Sequence, residues 1–454
     1  MRLLLLAAVA GAAASTKSPN VGLLPAMGYN TWNDVRCDNV SAARVEEIAN
    51  ELERTGLRAL GYDYVNIDDC WSEEQLAPDG SLVPKKSAFP NGMGAVADWL
   101  HARGFKMGLY ADRGYKTCAF RPGSRGREAQ HAAQFAGWGV DYLKYDSCFS
   151  PNLRRKGALE DYAKMRDALN ATGRDVLFSA CGWNSWYAPH GADLAHAWRI
   201  SADCDEWANV YVAIRTNERL TKYASAGAFN DPDMLLGSAL GATHLTPQQS
   251  RAQFAMWAVM TAPLLIGAPL ASMSAWDLAT YSNAEVIAVD QDFSAVQGRV
   301  VHSTCPRKPP LDNWWCSPWS MPADVAAVWT KGLRTAAFGI GLAAAAFKSR
   351  KLVILAALPI FYSVYLQHHR PTTDACHQVW AKPMANGGLA LAFVNFSPKS
   401  VDVACDAKCL AKAKAPKKFT VRDCSHNIAS DAAALQGVRL AGDGDAVLYR
   451  LDPA

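Results

Sequence analysis

The stretch Val140-Asp141-Tyr142-Leu143-Lys144-Tyr145-Asp146 reads as a strand that finishes on a carboxylate. Residues two apart in a strand share a face, so Lys144 and Asp146 point the same way. The pattern recurs on both sides of it. Strand-like runs are Met27 to Asn30, Tyr64 to Ile67, Phe105 to Tyr110, Val176 to Ser179 and Ala197 to Ser201, with weaker ones before Asn230 and at Pro263 to Ile266. Helix-like stretches lie between them, such as Ser41 to Thr55, with Ser41 as N-cap, and Glu160 to Ala171. Alternation of this kind predicts a parallel sheet, open or closed into a barrel.

The carboxylates favour the barrel. Asp68, Asp69, Asp112, Asp146, Asp203 and Asp233 all fall at or just after the C-terminal end of a strand-like run. In a (β/α)8 TIM barrel those ends converge on one face, where active sites are built. A doubly wound sheet would favour a Gly-rich turn at one switch point, and no GxGxxG or Walker loop follows the first strand.

The remainder of the chain divides on composition. Arg2, the apolar run Leu3 to Val9 and Ala12 to Ala14 have the order of a secretory signal, assigned to residues 1–15. The barrel is assigned to 16–301. Residues 302–372 read as an insertion: a Pro- and Trp-rich patch, then an apolar block, Ala336 to Phe347 and Leu352 to Leu366, broken by Lys348-Ser349-Arg350-Lys351. Each half is shorter than the roughly 20 residues that span a bilayer. An inserted hairpin, a membrane anchor and a gene-model error are the three readings, with membrane attachment not favoured. Residues 373–454 carry strand-like segments at Leu389 to Phe396, Lys418 to Arg422 and Ala446 to Leu451. They predict a C-terminal antiparallel β-sandwich, with Cys405, Cys409 and Cys424 available to staple it.

With 46 Lys and Arg against 42 Asp and Glu, the charge gives no case for nucleic acid. The run Lys412, Lys414, Lys417, Lys418 reads as a solvated loop. Twelve cysteines without a CxxC pair suit disulfides in a secretory compartment, extracellular or lysosomal/vacuolar, better than zinc or redox modules. Sequons at Asn39, Asn170 and Asn395 fit that route. Nothing in the sequence excludes a homodimer.

Two carboxyl groups flanking a bond are what glycosidic hydrolysis needs, one ionised to attack the anomeric carbon and one protonated to assist the leaving oxygen. Lys144 could keep Asp146 ionised. Arg199, Ser201 and Asp203 share a strand face in this reading, as do Tyr110 and Asp112. Asp68-Asp69 suits bidentate bonding to sugar hydroxyls, and Trp32, Trp183 and Tyr110 offer ring platforms. Metal binding is the main rival, since acidic barrel mouths hold Mg²⁺, but no histidine follows a strand at ligand spacing.

Longer motifs sharpen the reading. Pro25 to Trp32, Tyr64 to Trp71, Gly108 to Gly114 with Lys116-Thr117-Cys118, Trp138 to Asp146, Trp198-Arg199 leading to Asp203, Asn230 to Met234, Ala262 to Gly267 and Val379 to Pro383 together resemble glycoside hydrolase family 27, the α-galactosidase and α-N-acetylgalactosaminidase group. The resemblance implies a retaining exo-acting α-galactosidase without metal or cofactor, acting on a galactose-containing oligosaccharide or glycoconjugate. It implies Asp146 as nucleophile and Asp203 as acid/base. Asp68, Asp69, Lys144, Arg199 and Asp233 would hold the sugar hydroxyls, and Trp32 and Tyr110 would touch the ring. It also implies disulfides Cys37–Cys70 and Cys118–Cys148, and offers Cys204 as a substitute partner for Cys181. One departure stands out: after Cys181, where many α-galactosidases carry an acidic residue near the sugar's 2-position, this chain has Gly182. That keeps α-N-acetylgalactosaminides and β-L-arabinopyranosides as alternative substrates, and a non-catalytic sugar-binding protein as the other class.

Overall fold

Eight short, largely buried runs become parallel strands: β1 Met27–Asn30, β2 Tyr64–Ile67, β3 Lys106–Asp112, β4 Tyr142–Asp146, β5 Leu177–Ala180, β6 Ala197–Arg199, β7 Phe229–Asp231 and β8 Leu264–Ile266. Their order is β7-β6-β5-β4-β3-β2-β1-β8. The two ends of the sheet meet at Leu235, whose N–H donates to the Leu265 carbonyl and whose carbonyl accepts from Gly267, both at 2.8 Å. The result is the (β/α)8 barrel. The computed structural model describes residues 17–152, 154–238, 245–307 and 373–454. The signal-like leader and the apolar block at 336–366 lie outside the described residues.

Local chemistry explains the elements. Every residue of β1, β2 and β5 is buried, as expected for parallel strands covered on both faces. The helix Ala42–Arg54 starts where the Ser41 side chain accepts the Arg44 N–H and buries Val45, Ile48, Ala49 and Leu52, one stripe at helical spacing. The helix expected from Glu160 begins earlier, at Arg155. Strand ends also shift: Asp112 and Asp146 are the last residues of β3 and β4, and β6 stops at Arg199.

The C-terminal part is an antiparallel sandwich. One sheet runs β14-β13-β16-β11-β10-β9 and the smaller one β12-β15, from β9 Arg299–Ser303, β10 His377–Pro383, β11 Leu389–Asn395, β12 Val401–Val403, β13 Phe419–Asp423, β14 Ile428–Ser430, β15 Val438–Leu440 and β16 Asp445–Pro453. The strand β9 straddles residue 301 and pairs with β10, so this sheet recruits chain from both sides of the 308–372 segment. Cys305–Cys376 ties β9 to β10. A short helix, Ala407–Ala413, takes up Lys412 of the lysine run, whose four members are solvent-exposed.

The helix Pro247–Met260 joins the two halves. Thr246 and Gln249 form a reciprocal capping box at its start, and beyond Arg251 every residue is buried. One face packs on the barrel and another on β11 and β16. Gln249 donates to the Asp443 carbonyl (2.7 Å), Asn283 to the Cys424 carbonyl (2.7 Å), and Arg251 pairs with Asp445 (2.9 Å). The sequon at Asn395 is not available: the residue is fully buried and its amide donates to the carbonyls of Lys399 and Ala441. No helix among the described residues is long and apolar enough to cross a membrane.

Candidate active site

The C-terminal ends of the barrel strands enclose a cavity lined by Trp32, Asp68, Asp69, Tyr110, Lys144, Asp146, Arg199, Asp203 and Asp233 together with Asn33, Arg36, Cys118, Cys204, Asp205 and Met234. All nine catalytic and substrate-binding residues expected from the sequence converge there. Register explains part of this. Pairing of β3 with β4 sets Tyr110 beside Lys144 and Asp112 beside Asp146.

Asp146 and Asp203 occupy different surroundings. Asp146 is buried, and its carboxylate accepts the Ser147 N–H at 2.8 Å. Burial pushes it up to about 7, with Lys144 pulling down and Asp203 pushing up. The Asp203 side chain is 45% exposed and accepts from Arg199 at 2.9 Å. It sits beyond the end of β6, so the ion pair, rather than strand alternation, joins it to Arg199. Arg199 also pairs with Asp233 at 3.0 Å, and that carboxylate accepts the Cys204 N–H at 2.8 Å. Burial raises Asp233 to about 6 against the pull of Arg199. Asp233 holds φ at 93°, an uncommon backbone state for a residue other than glycine.

A carboxylate pair, Asp68 and Asp69, adds to the lining. Asp68 accepts from Lys144 and Asn30, both at 2.8 Å. Asp69 accepts the N–H groups of Cys70 (2.7 Å) and Ala119 (2.9 Å), and burial lifts it to about 6 against those donors. Lys144 lies 5.2 Å from the Tyr110 ring centre; burial works against its charge, but Asp68 and Asp146 outweigh that and raise its pKa. The cavity therefore presents fixed acceptors, the cations Arg36, Lys144 and Arg199 and two ring faces to a polyhydroxylated ligand.

Some expectations need correction. Asp112 is fully buried behind the cavity, where it accepts from Gly114 (2.6 Å) and Cys148 (2.8 Å) and orders the two loops. Trp183 stands outside the lining. Cys37–Cys70 and Cys118–Cys148 are bonded, but Cys181 and Cys204 are buried free thiols. The reason is directional: Cys181 Sγ faces Arg199 (3.9 Å) and Cys204 Sγ faces the Pro232 carbonyl (3.6 Å). In the sandwich Cys405–Cys409 forms, while Cys424 stays free. Asp112, Cys118, Asp146 and Cys148 bring potential metal ligands within 4.8 Å, yet both sulfurs are spent on their disulfide. Among the cavity residues sequence reasoning missed, Asn33 and Arg36 follow β1 directly, and that position was the available signal.

A family model described as alpha galactosidase A matches residues 24–292, and one described as alpha galactosidase C-terminal beta sandwich domain matches residues 374–424. The chain belongs to glycoside hydrolase family 27. Alpha-galactosidase 3 of Arabidopsis thaliana is 41% identical over 309 residues, covering 68% of this chain and 69% of the relative. Alpha-galactosidase of Cyamopsis tetragonoloba is 42% identical over 288 residues, 63% of this chain and 68% of the relative. The solved α-galactosidase of Saccharomyces cerevisiae superimposes with a TM-score of 0.74 at 25% identity, over 97% of this chain and 100% of the other. This family 27 chain is thus a glycoside hydrolase of the α-galactosidase type, and its acidic, ring-lined cavity is where the family reading and the geometry coincide.

Proposed function

We propose that the protein removes terminal α-linked galactose from oligosaccharides or glycoconjugates by a retaining double displacement, in a compartment of the secretory route. What supports this reading is that Asp146 and Asp203 line one cavity, with Lys144 beside Asp146 opposing the rise that burial causes. Asp146, at the floor beside Lys144, attacks the anomeric carbon. Asp203, open to the rim, donates a proton to the departing oxygen. The glycosyl–Asp146 ester then forms, and Asp203, now ionised, takes a proton from the water that cleaves it. Asp68, Asp69, Lys144, Arg199 and Asp233 hold the hydroxyls, and Trp32 and Tyr110 flank the ring. The four disulfides among the described residues support an oxidising compartment, extracellular or lysosomal/vacuolar.

Two measurements test it. Asp146→Asn should abolish turnover of an aryl α-galactoside, and normal turnover would remove Asp146 from the role. The first product seen by NMR should be the α-anomer; the β-anomer would refute retention.

Gly182 supports a second reading of the sugar. A Cβ placed there would lie 2.0 Å from the Tyr187 ring, so Tyr187 fills the space a side chain at 182 would need. No carboxylate can reach the 2-position from residue 182 while Tyr187 stays in place. α-N-acetylgalactosaminides and β-L-arabinopyranosides are therefore the second choice, and a higher kcat/KM on either than on α-galactosides would displace the first.

A further inference from the structure

Beyond the cavity, eight large hydrophobic side chains are exposed among the described residues, and three of them, Tyr115, Phe120 and Phe149, come from just two loops. Those loops follow β3 and β4. Phe120 is 59% exposed and Phe149 47%, yet their rings lie 5.0 Å apart in a tilted pair. Both residues hold a positive φ, 65° and 45°, a backbone state that is costly for bulky side chains and persists where the surroundings enforce it. Cys118–Cys148 is the enforcing link, since it locks the two loops together within two residues of each ring.

The pair borders the catalytic cavity. Cys118 lines it, and the N–H of Ala119, next to Phe120, donates to Asp69. A substrate whose anomeric carbon meets Asp146 must send its leaving group outward past the rim. Exposed apolar surface in that position gains nothing for folding and marks a ligand contact. The patch is small and edged by charge: Arg121 pairs with Glu74, and Arg125 covers the Tyr115 ring. An acyl chain would want a longer apolar track. A pyranose, with one C–H face and a hydroxyl rim, matches two rings bordered by ions.

We propose that Phe120 and Phe149 form the platform that binds the first sugar ring on the leaving-group side of the substrate, a neutral hexose of an oligosaccharide. The proposal rests on the galactosidase reading above. It makes the two phenylalanines specificity determinants for the aglycone, without a role in holding galactose.

The test compares raffinose with methyl α-D-galactopyranoside, whose aglycone is too small to reach the platform. In F120A/F149A the ratio of kcat/KM for raffinose to that for the methyl glycoside should fall roughly tenfold, about the effect of one lost aromatic contact. Inhibition by free galactose should stay within about twofold of wild type. Phe120→Gly separates binding from loop integrity: it relieves the positive-φ cost, so Tm should hold or rise while the ratio still falls. An unchanged ratio overturns the platform, and so does a parallel loss of galactose inhibition. Wild-type protein that hydrolyses neither compound would instead overturn the galactosidase reading, and the platform with it.

Discussion

Lys144→Met should move the acid limb of kcat/KM upward. Lys144 and Asp146 stand two residues apart on β4, a spacing of about 6.6 Å along a strand. At an effective dielectric of about 20, opposite unit charges at that distance attract by about 2.5 kcal/mol, close to two pKa units. Water in the open cavity reduces this, leaving an expected rise of about one to two units. The direction follows from the charges. Burial already raises Asp146 to about 7, and Lys144 opposes that rise. Without the cation, the carboxylate ionises only at higher pH, and the attacking form is lost as pH falls. Methionine fills similar volume, and Asp68 keeps Asn30 and the Asp69 N–H as donors, so the site should stay folded. The assay is a pH profile of kcat/KM on an aryl α-galactoside for wild type, Lys144→Met and Lys144→Arg. Arginine should restore most of the limb. A limb that stays put while KM alone rises would refute the argument and reduce Lys144 to a hydroxyl contact.

Stability should fall with pH across the weakly acidic range. Asp69, Asp146 and Asp233 have folded-state values raised from 3.8 to about 6, 7 and 6, so their stabilising contribution is complete below about 4 and is lost as pH rises through those values. Tm should therefore be higher near pH 5 than near pH 7.5, and Asp146→Asn, which removes one of these groups, should narrow the gap; a wider gap in the variant would contradict this. Peptide mapping after alkylation of the unreduced, unfolded protein should label Cys181 and Cys204 and yield no peptide joining them, whereas a 181–204 cross-link would refute the free-thiol assignment. Replacing residues 310–370 with a short Gly-Ser linker should leave Tm within a few degrees and galactosidase activity intact, because Cys305 and Cys376 hold the flanking Cα atoms 4.9 Å apart; loss of soluble protein would show that the segment supports the fold.

The sequence carried the barrel because each strand is a short apolar run ending in polar residues, and parallel strands leave that imprint without long-range information. It also picked out residues that line one cavity, since a barrel brings its strand ends together whatever the loops do. What it could not carry was direction in three dimensions. Asp112 sits at a strand end like Asp146, but its neighbours' N–H groups draw it behind the wall. Asp203 reaches Arg199 through a turn that alternation does not describe. Cys181 and Cys204 suggest a pair on paper and face different partners in space. Asn395 satisfies a sequon and is buried, because a triplet does not encode depth. The strand at Arg299–Ser303 was hidden for a related reason: its partner strand is His377–Pro383, across a stretch of unlike composition.

The helix Pro247–Met260 has a last implication. Its residues belong to the barrel by sequence, and the hydrophobic cluster they sit in also takes in Ala390, Ala392, Val394, Phe396, Ala446 and Leu448 of the sandwich, so one core spans both halves. The two halves should therefore melt together, in one calorimetric transition rather than two. A barrel expressed alone would present the sandwich-facing side of this helix to water and would be expected to aggregate. In a chain that reads as two modules, the unit that folds, and on which selection acts, is the pair.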